Sequence, residues 1–143
     1  MIRNKFLFYF LSFVWGLPIT IIGCFATILL LITGYKPQKW GYCWYFEVGE
    51  SWGGVNLGPV FIVNKNASKY TKSHELGHSF HNCWFGPLMP LVVSIPSAIR
   101  YWYRIIRCKI GTPCKTRYDS VWFESAASSL GKDFMKWYEN NTK

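Results

Sequence analysis

The uncharged run from Phe6 to Tyr35, 30 residues long, limits what this chain can fold into more than any other feature. A helix rises about 1.5 Å per residue, so such a run exceeds the roughly 30 Å of bilayer hydrocarbon. It reads as one transmembrane helix. A cleavable signal peptide is the competing reading, since Met1 to Lys5 is basic, but its apolar region spans only about 7–15 residues. Within the run, Trp15-Gly16-Leu17-Pro18 predicts a kink, because Pro18 has no amide hydrogen and its ring crowds the preceding turn. A hairpin of two half-helices therefore stays open. Cys24 is expected to pack as a small hydrophobe. On this basis residues 1–35 form a membrane anchor and residues 36–143 a single small domain lying against the membrane.

Most of the charge lies in the second part. Of 16 Lys and Arg, Arg3 and Lys5 alone precede the run, leaving 14 basic against 7 acidic residues after it. A basic surface is attracted to an anionic leaflet, and cytoplasmic loops carry the basic excess, which predicts a domain on the cytoplasmic side. No nucleic-acid-binding motif accompanies the charge, so a nucleic-acid partner is not expected. Trp, Tyr and Phe make up 20% of the chain, and the first two favour the bilayer–water boundary. The five cysteines include no CxxC pair; reduced thiols are the expectation, with a Cys108–Cys114 bridge conceivable only in an oxidising compartment.

After an exit loop at Gly34 to Gln38, Tyr42 to Val48 and Val55 to Val63 read as two strands joined at Gly49 to Gly54, a short β-hairpin with an edge able to hold an extended peptide. A helix should follow, capped by Ser73 or Thr71 and broken at Gly86-Pro87. Leu88 to Ile99 is apolar, contains Pro90 and Pro96, and suits an interfacial or re-entrant segment. Next, Arg100, Arg104 and Arg107 recur at i, i+4 and i+7, a basic stripe suited to anionic headgroups. Tyr118 to Leu130 reads as the last major helix, ending at Gly131. The expected class is α+β.

The chemistry resides in His74-Glu75-Leu76-Gly77-His78. Two imidazoles four residues apart share a helical face and can hold one Zn²⁺, with Glu75 placed to act as general base on a water. A catalytic zinc site needs a third protein ligand. Glu124, in a helical segment with small neighbours, is the leading candidate, and Asp119 is a candidate for holding a histidine ring. His81 shares the face of His74 and His78, yet the helix rises about 10.5 Å from 74 to 81, too far for one ion. His81 either lines the cleft, where it stabilises an oxyanion, or covers a polar face; Tyr101, Tyr103 and Tyr118 are weaker oxyanion candidates.

His74 to Asn82, Phe85-Gly86-Pro87-Leu88-Met89, Ile95 to Tyr103 and Tyr118 to Glu124, together with Trp15-Gly16-Leu17-Pro18 and Ser51 to Gly58, resemble a group of small bacterial membrane proteins regarded as gluzincin-type zinc metallopeptidases. The resemblance implies His74, His78 and Glu124 as zinc ligands, Glu75 as base and a bacterial inner-membrane location. The group usually has Gln in place of His81, and Ser128 stands where gluzincins often carry a second acid. The sequence thus predicts a membrane-anchored zinc metallopeptidase acting on a peptide or protein substrate beside the lipid bilayer. A non-catalytic membrane protein with a structural zinc, and a metal-free interaction or immunity-type partner, are the alternatives.

Overall fold

The computed structural model describes residues 1–142, apart from the Tyr118 side chain. Among these residues the fold is mixed α+β, with five α-helices and one four-stranded sheet. The long apolar run does not form one helix. It divides into α1 (Lys5–Phe10), a π-helical continuation over Leu11–Trp15, and α2 (Leu17–Ile32), with a bend of 97° between the two limbs. Among the described residues no single helix is long and apolar enough to cross a membrane, and two shorter helices stand in place of the continuous one expected from Phe6 to Tyr35. Pro18 sits in the first turn of α2, where its missing donor costs nothing. Gly16 at the bend lets the Asn82 amide approach: a Cβ there would lie 2.3 Å from Asn82 Nδ2.

Nor is residue 35 a boundary in packing. Phe8, fully buried, shares a core with Tyr42, Phe61, Phe80 and Phe134, and Gly23 of α2 sits against Leu57. Residues 1–35 and 36–142 thus bury one another's apolar surface, which a detached anchor would leave to lipid. Cys24, expected among packed apolar residues, is exposed. Cys43 and Cys83 are the buried thiols, and burial pushes them up to about 12 and about 11, so they act as small hydrophobes.

The sheet also departs from a two-stranded hairpin. Strands β1 (Gln38–Trp40), β2 (Cys43–Glu47), β3 (Gly54–Leu57) and β4 (Val60–Val63) run in the order β1-β2-β4-β3. Gly58-Pro59 makes a turn inside the expected second strand, Gly58 having φ +83°, a conformation that favours glycine. The returning β4 inserts between β2 and β3, antiparallel to β3 and parallel to β2 with Tyr45 opposite Phe61. β3 is left as an edge.

Helix α3 (Lys69–Phe85) begins one turn earlier than expected: Ser68, not Thr71 or Ser73, is its N-cap, accepting from the Thr71 amide at 3.1 Å. It ends at Gly86 as the Gly-Pro pair predicts. A 119° bend leads into a π-helical turn over Pro90–Ser94 and α4 (Ile95–Lys109), which has no buried residue. Its arginines are engaged with their own chain. Arg100 donates to the Arg117 carbonyl and Ser120 Oγ, Arg104 to the Thr116 carbonyl and Arg107 to the Thr112 carbonyl. The expected headgroup stripe therefore fastens the 110–117 loop, whose carbonyls lack strand or helix partners.

Helix α5 (Trp122–Asn141) passes through Gly131, which was expected to end it. A Cβ on Gly131 would lie 1.6 Å from the Ser73 carbonyl oxygen, and one on Gly77 1.9 Å from that of Ala127. The two glycines let the backbones of α3 and α5 touch, and this crossing carries Glu124 to the motif.

Candidate metal centre

Three side chains converge where α3 and α5 cross. His74 Nε2 lies 3.2 Å from His78 Nε2, and Glu124 Oε2 lies 3.0 Å from His74 Nε2 and 3.3 Å from His78 Nε2. All three residues are buried. In a tetrahedral zinc centre with bonds of about 2.0–2.1 Å, neighbouring ligand atoms are about 3.3 Å apart. The spacings therefore fit three corners of such a centre, and the group can hold a metal ion. The geometry itself does not choose among metals. The predicted triad of His74, His78 and Glu124 is brought together as expected.

Each first contact is itself held. Ser97 donates its hydroxyl to Glu124 Oε1, which leaves Oε2 to face the imidazoles. His74 Nδ1 is 2.9 Å from Ser128 Oγ, and His78 Nδ1 is 3.3 Å from His81 Nδ1. His81 is 1% exposed, on the far side of His78 and not among the residues lining the cavity. Burial, reinforced by the neighbouring His78, lowers its pKa to about 3. A neutral His81 can accept from His78 Nδ1–H, a contact able to orient the His78 ring. The oxyanion role expected of it has no support from that position. Asp119 does not reach a histidine directly either; Tyr70 donates to its Oδ2 at 3.0 Å.

Burial raises the pKa of Glu75 despite the two nearby imidazoles. For Glu124, burial acts in the same upward direction, but the hydrogen bonds from His74, His78 and Ser97 outweigh it and hold the carboxyl well below the usual range. Burial lowers and Glu124 raises the His74 pKa, with the upward effect winning. The two carboxylates differ by environment: Glu124 accepts hydrogen bonds from His74, His78 and Ser97, and Glu75 lines the open space beside them.

That space is a cavity of about 650 Å³, within the size of small-ligand and peptide sites. His74, Glu75 and His78 line it, together with the largely apolar Met89, Val93, Ala98, Tyr101 and Trp102 of the segment after α3. Edge strand β3 forms the rim. Asn56 on β3 donates to the Glu75 carbonyl at 2.9 Å and to Ser79 Oγ at 2.7 Å, tying strand to helix. Gly54 leaves room for the Glu75 carboxylate: a Cβ there would lie 2.5 Å from Glu75 Oε1. Tyr101 reaches the cavity with its hydroxyl on the Trp52 carbonyl at 3.4 Å. Tyr103 is exposed beside Arg107, and the Tyr118 side chain lies outside the described residues.

Sequence reasoning missed Tyr70, Ser97, Asn56 and Gly54. Ser97 and Asn56 lie in segments that carry the resemblance, but as ordinary polar residues far from the motif they gave no sign of a role at the site. Tyr70 is four residues before His74 and so on its face, a placement readable from helical periodicity. Comparison with protein-family models, curated proteins and solved structures finds no match for this chain.

Proposed function

We propose that the chain is a zinc metallopeptidase that works at a membrane surface, cleaving polypeptide segments rich in large apolar side chains. One observation carries this reading: in the buried His74–His78–Glu124 group, whose ligand atoms lie within 4.8 Å of one another, both histidines line one cavity together with Glu75. Zinc bound there supplies Lewis acidity and lowers the pKa of a coordinated water. Glu75 takes the proton of the attacking water and returns it to the amine as the C–N bond breaks. Edge strand β3 offers backbone groups to an extended substrate, and the Met89–Val93–Trp102 wall receives its side chains. Three protein ligands with an open side suit catalysis better than the structural-zinc alternative, which calls for a closed set of four.

Purified full-length protein is expected to carry about one zinc per chain and to hydrolyse an unfolded, apolar-rich polypeptide. Chelation should abolish hydrolysis and added zinc restore it. Bound zinc without hydrolysis would favour the structural alternative, and absence of bound metal the interaction-partner one.

The membrane part of the proposal rests on exposed apolar side chains. Ile21, Ile22, Phe25, Ile28, Leu29 and Ile32 of α2 are exposed, as are Leu91, Ile95, Ile99, Trp102 and Ile106 along the 90–109 segment. Burying a fully exposed side chain of this size gains about 1.5–3 kcal/mol, these partly covered ones gain a share of that, and the net charge of +9 adds attraction to anionic lipid. Both bent helix pairs would contribute, the second of them containing the Leu88 to Ile99 segment that the sequence suggests for the interface. Detergent-free protein should float with phosphatidylglycerol-containing vesicles; recovery in the lipid-free fraction would count against bilayer association.

A further inference from the structure

Tyr70 links two groups that the motif does not contain. Its hydroxyl lies 3.0 Å from Asp119 Oδ2 and 2.9 Å from Ser128 Oγ, and Ser128 Oγ lies 2.9 Å from His74 Nδ1. Asp119 is gripped by Arg117, through Nε to Oδ1 at 3.1 Å and Nη2 to Oδ2 at 3.0 Å.

Hydrogen counting gives this chain one direction. A carboxylate only accepts, and tyrosine and serine hydroxyls have one hydrogen each. Tyr70 spends its hydrogen on Asp119, so the Tyr70–Ser128 contact is completed by the serine's hydrogen. Ser128 Oγ is then left to accept from His74, which requires the hydrogen on Nδ1. In the neutral imidazole, the form that can hold a metal, His74 Nε2, the atom facing His78 and Glu124, consequently presents its lone pair.

From this we propose that Asp119 selects the His74 tautomer through the Tyr70 and Ser128 hydroxyls, and that all three are positioning residues of the metal centre. The inference rests on the reading that His74 holds a metal. The Asp119 carboxyl is held below its ordinary range, chiefly by the Tyr70 hydrogen bond and then by Arg117, consistent with a permanent acceptor at the end of the chain. A histidine ligand oriented directly by a carboxylate is the common arrangement. Here two hydroxyls extend its reach, and the acid comes from the turn before α5 rather than from α5 itself.

The test uses full-length Tyr70→Phe, Asp119→Asn and the double variant, with zinc affinity measured by competition against a chromophoric chelator. Tyr70 is 40% exposed and the Asp119 side chain 21%, so these variants keep the core intact, and circular dichroism melts verify that. Each single change is expected to weaken zinc about 10–100-fold, and the double change no more than the worse single one, because either breaks the same chain. Ser128→Ala should weaken zinc similarly and Ser128→Thr, which keeps a hydroxyl, should recover most of the loss. The visible spectrum of the Co²⁺-substituted protein should shift in the single variants. Affinities within twofold of the unmodified protein overturn the proposal. Additive losses also overturn it, since they mark Asp119 as a distant charge acting independently of Tyr70. If the unmodified chain binds no metal, the metallopeptidase reading falls with it; if it binds metal and the variants bind equally well, the relay alone falls.

Discussion

Glu75→Gln is expected to lower peptide hydrolysis by about 10²–10⁴-fold, the usual contribution of a positioned general base, while zinc content and melting temperature stay at their original values. The amide matches the carboxylate in size, so the space Gly54 leaves for it remains filled, but it cannot take a proton. Glu75 is also not one of the three converging metal-site residues, which separates this variant from His74, His78 or Glu124 changes, where metal and activity would go together. Stopped assays under substrate saturation should show the loss in kcat. Retention of more than a tenth of the activity would remove Glu75 from the chemistry, and loss of zinc would show that it supports the centre instead.

Gly77→Ala is expected to destabilise the protein by about 3 kcal/mol or more, the upper part of the range for overpacked cores. Helix propensity argues the other way, since alanine in place of a mid-helix glycine gains about 1 kcal/mol. Packing wins because the obstruction is backbone: the new Cβ would lie 1.9 Å from the Ala127 carbonyl oxygen and 2.7 Å from the Ala127 Cα. No rotamer change relieves such a contact, so α5 must move away from α3. Glu124, one turn before Ala127, would withdraw with it. A melting temperature lower by roughly 10 °C and a large loss of zinc affinity should therefore appear together. Gly131→Ala should behave alike, its Cβ meeting the Ser73 carbonyl oxygen at 1.6 Å. A Gly77→Ala protein that melts and binds zinc as before would show that the helices do not cross this closely.

The two predictions depend on different kinds of information. Glu75 could be singled out in the sequence because the role proposed for it follows from spacing within one helix, where residues one and four apart have fixed directions. Gly77 and Gly131 were visible only as letters, and Gly131 was even expected to stop α5. What a mid-helix glycine does depends on the surface opposite, which spacing along the chain does not contain.

The same division holds elsewhere. Glu124 was selectable as a third ligand because a carboxylate is the residue type that completes a two-histidine zinc site, although 46 residues separate it from His78. By contrast, His81 lies on the same helical face as the ligands, and only its burial behind His78 distinguishes an orienting ring from a cavity-facing one. The tyrosines were indistinguishable until folding placed Tyr70 between Asp119 and Ser128.

By itself the sequence determined what short-range stereochemistry controls: the α+β class, the face shared by His74 and His78, the stop at Gly86-Pro87, and the place in the apolar run, at Gly16-Leu17-Pro18, where the helix bends, though not that the bend divides it in two. Tertiary structure decided the rest. Insertion of β4 between β2 and β3, burial of Phe8 under Tyr42 and Phe80, the contact of α3 with α5 and the path from Asp119 to His74 all join residues far apart in the chain. Such contacts form because buried area and hydrogen bonds together exceed the entropy lost in closing the chain between them, a balance set by the whole fold and not by any local pattern.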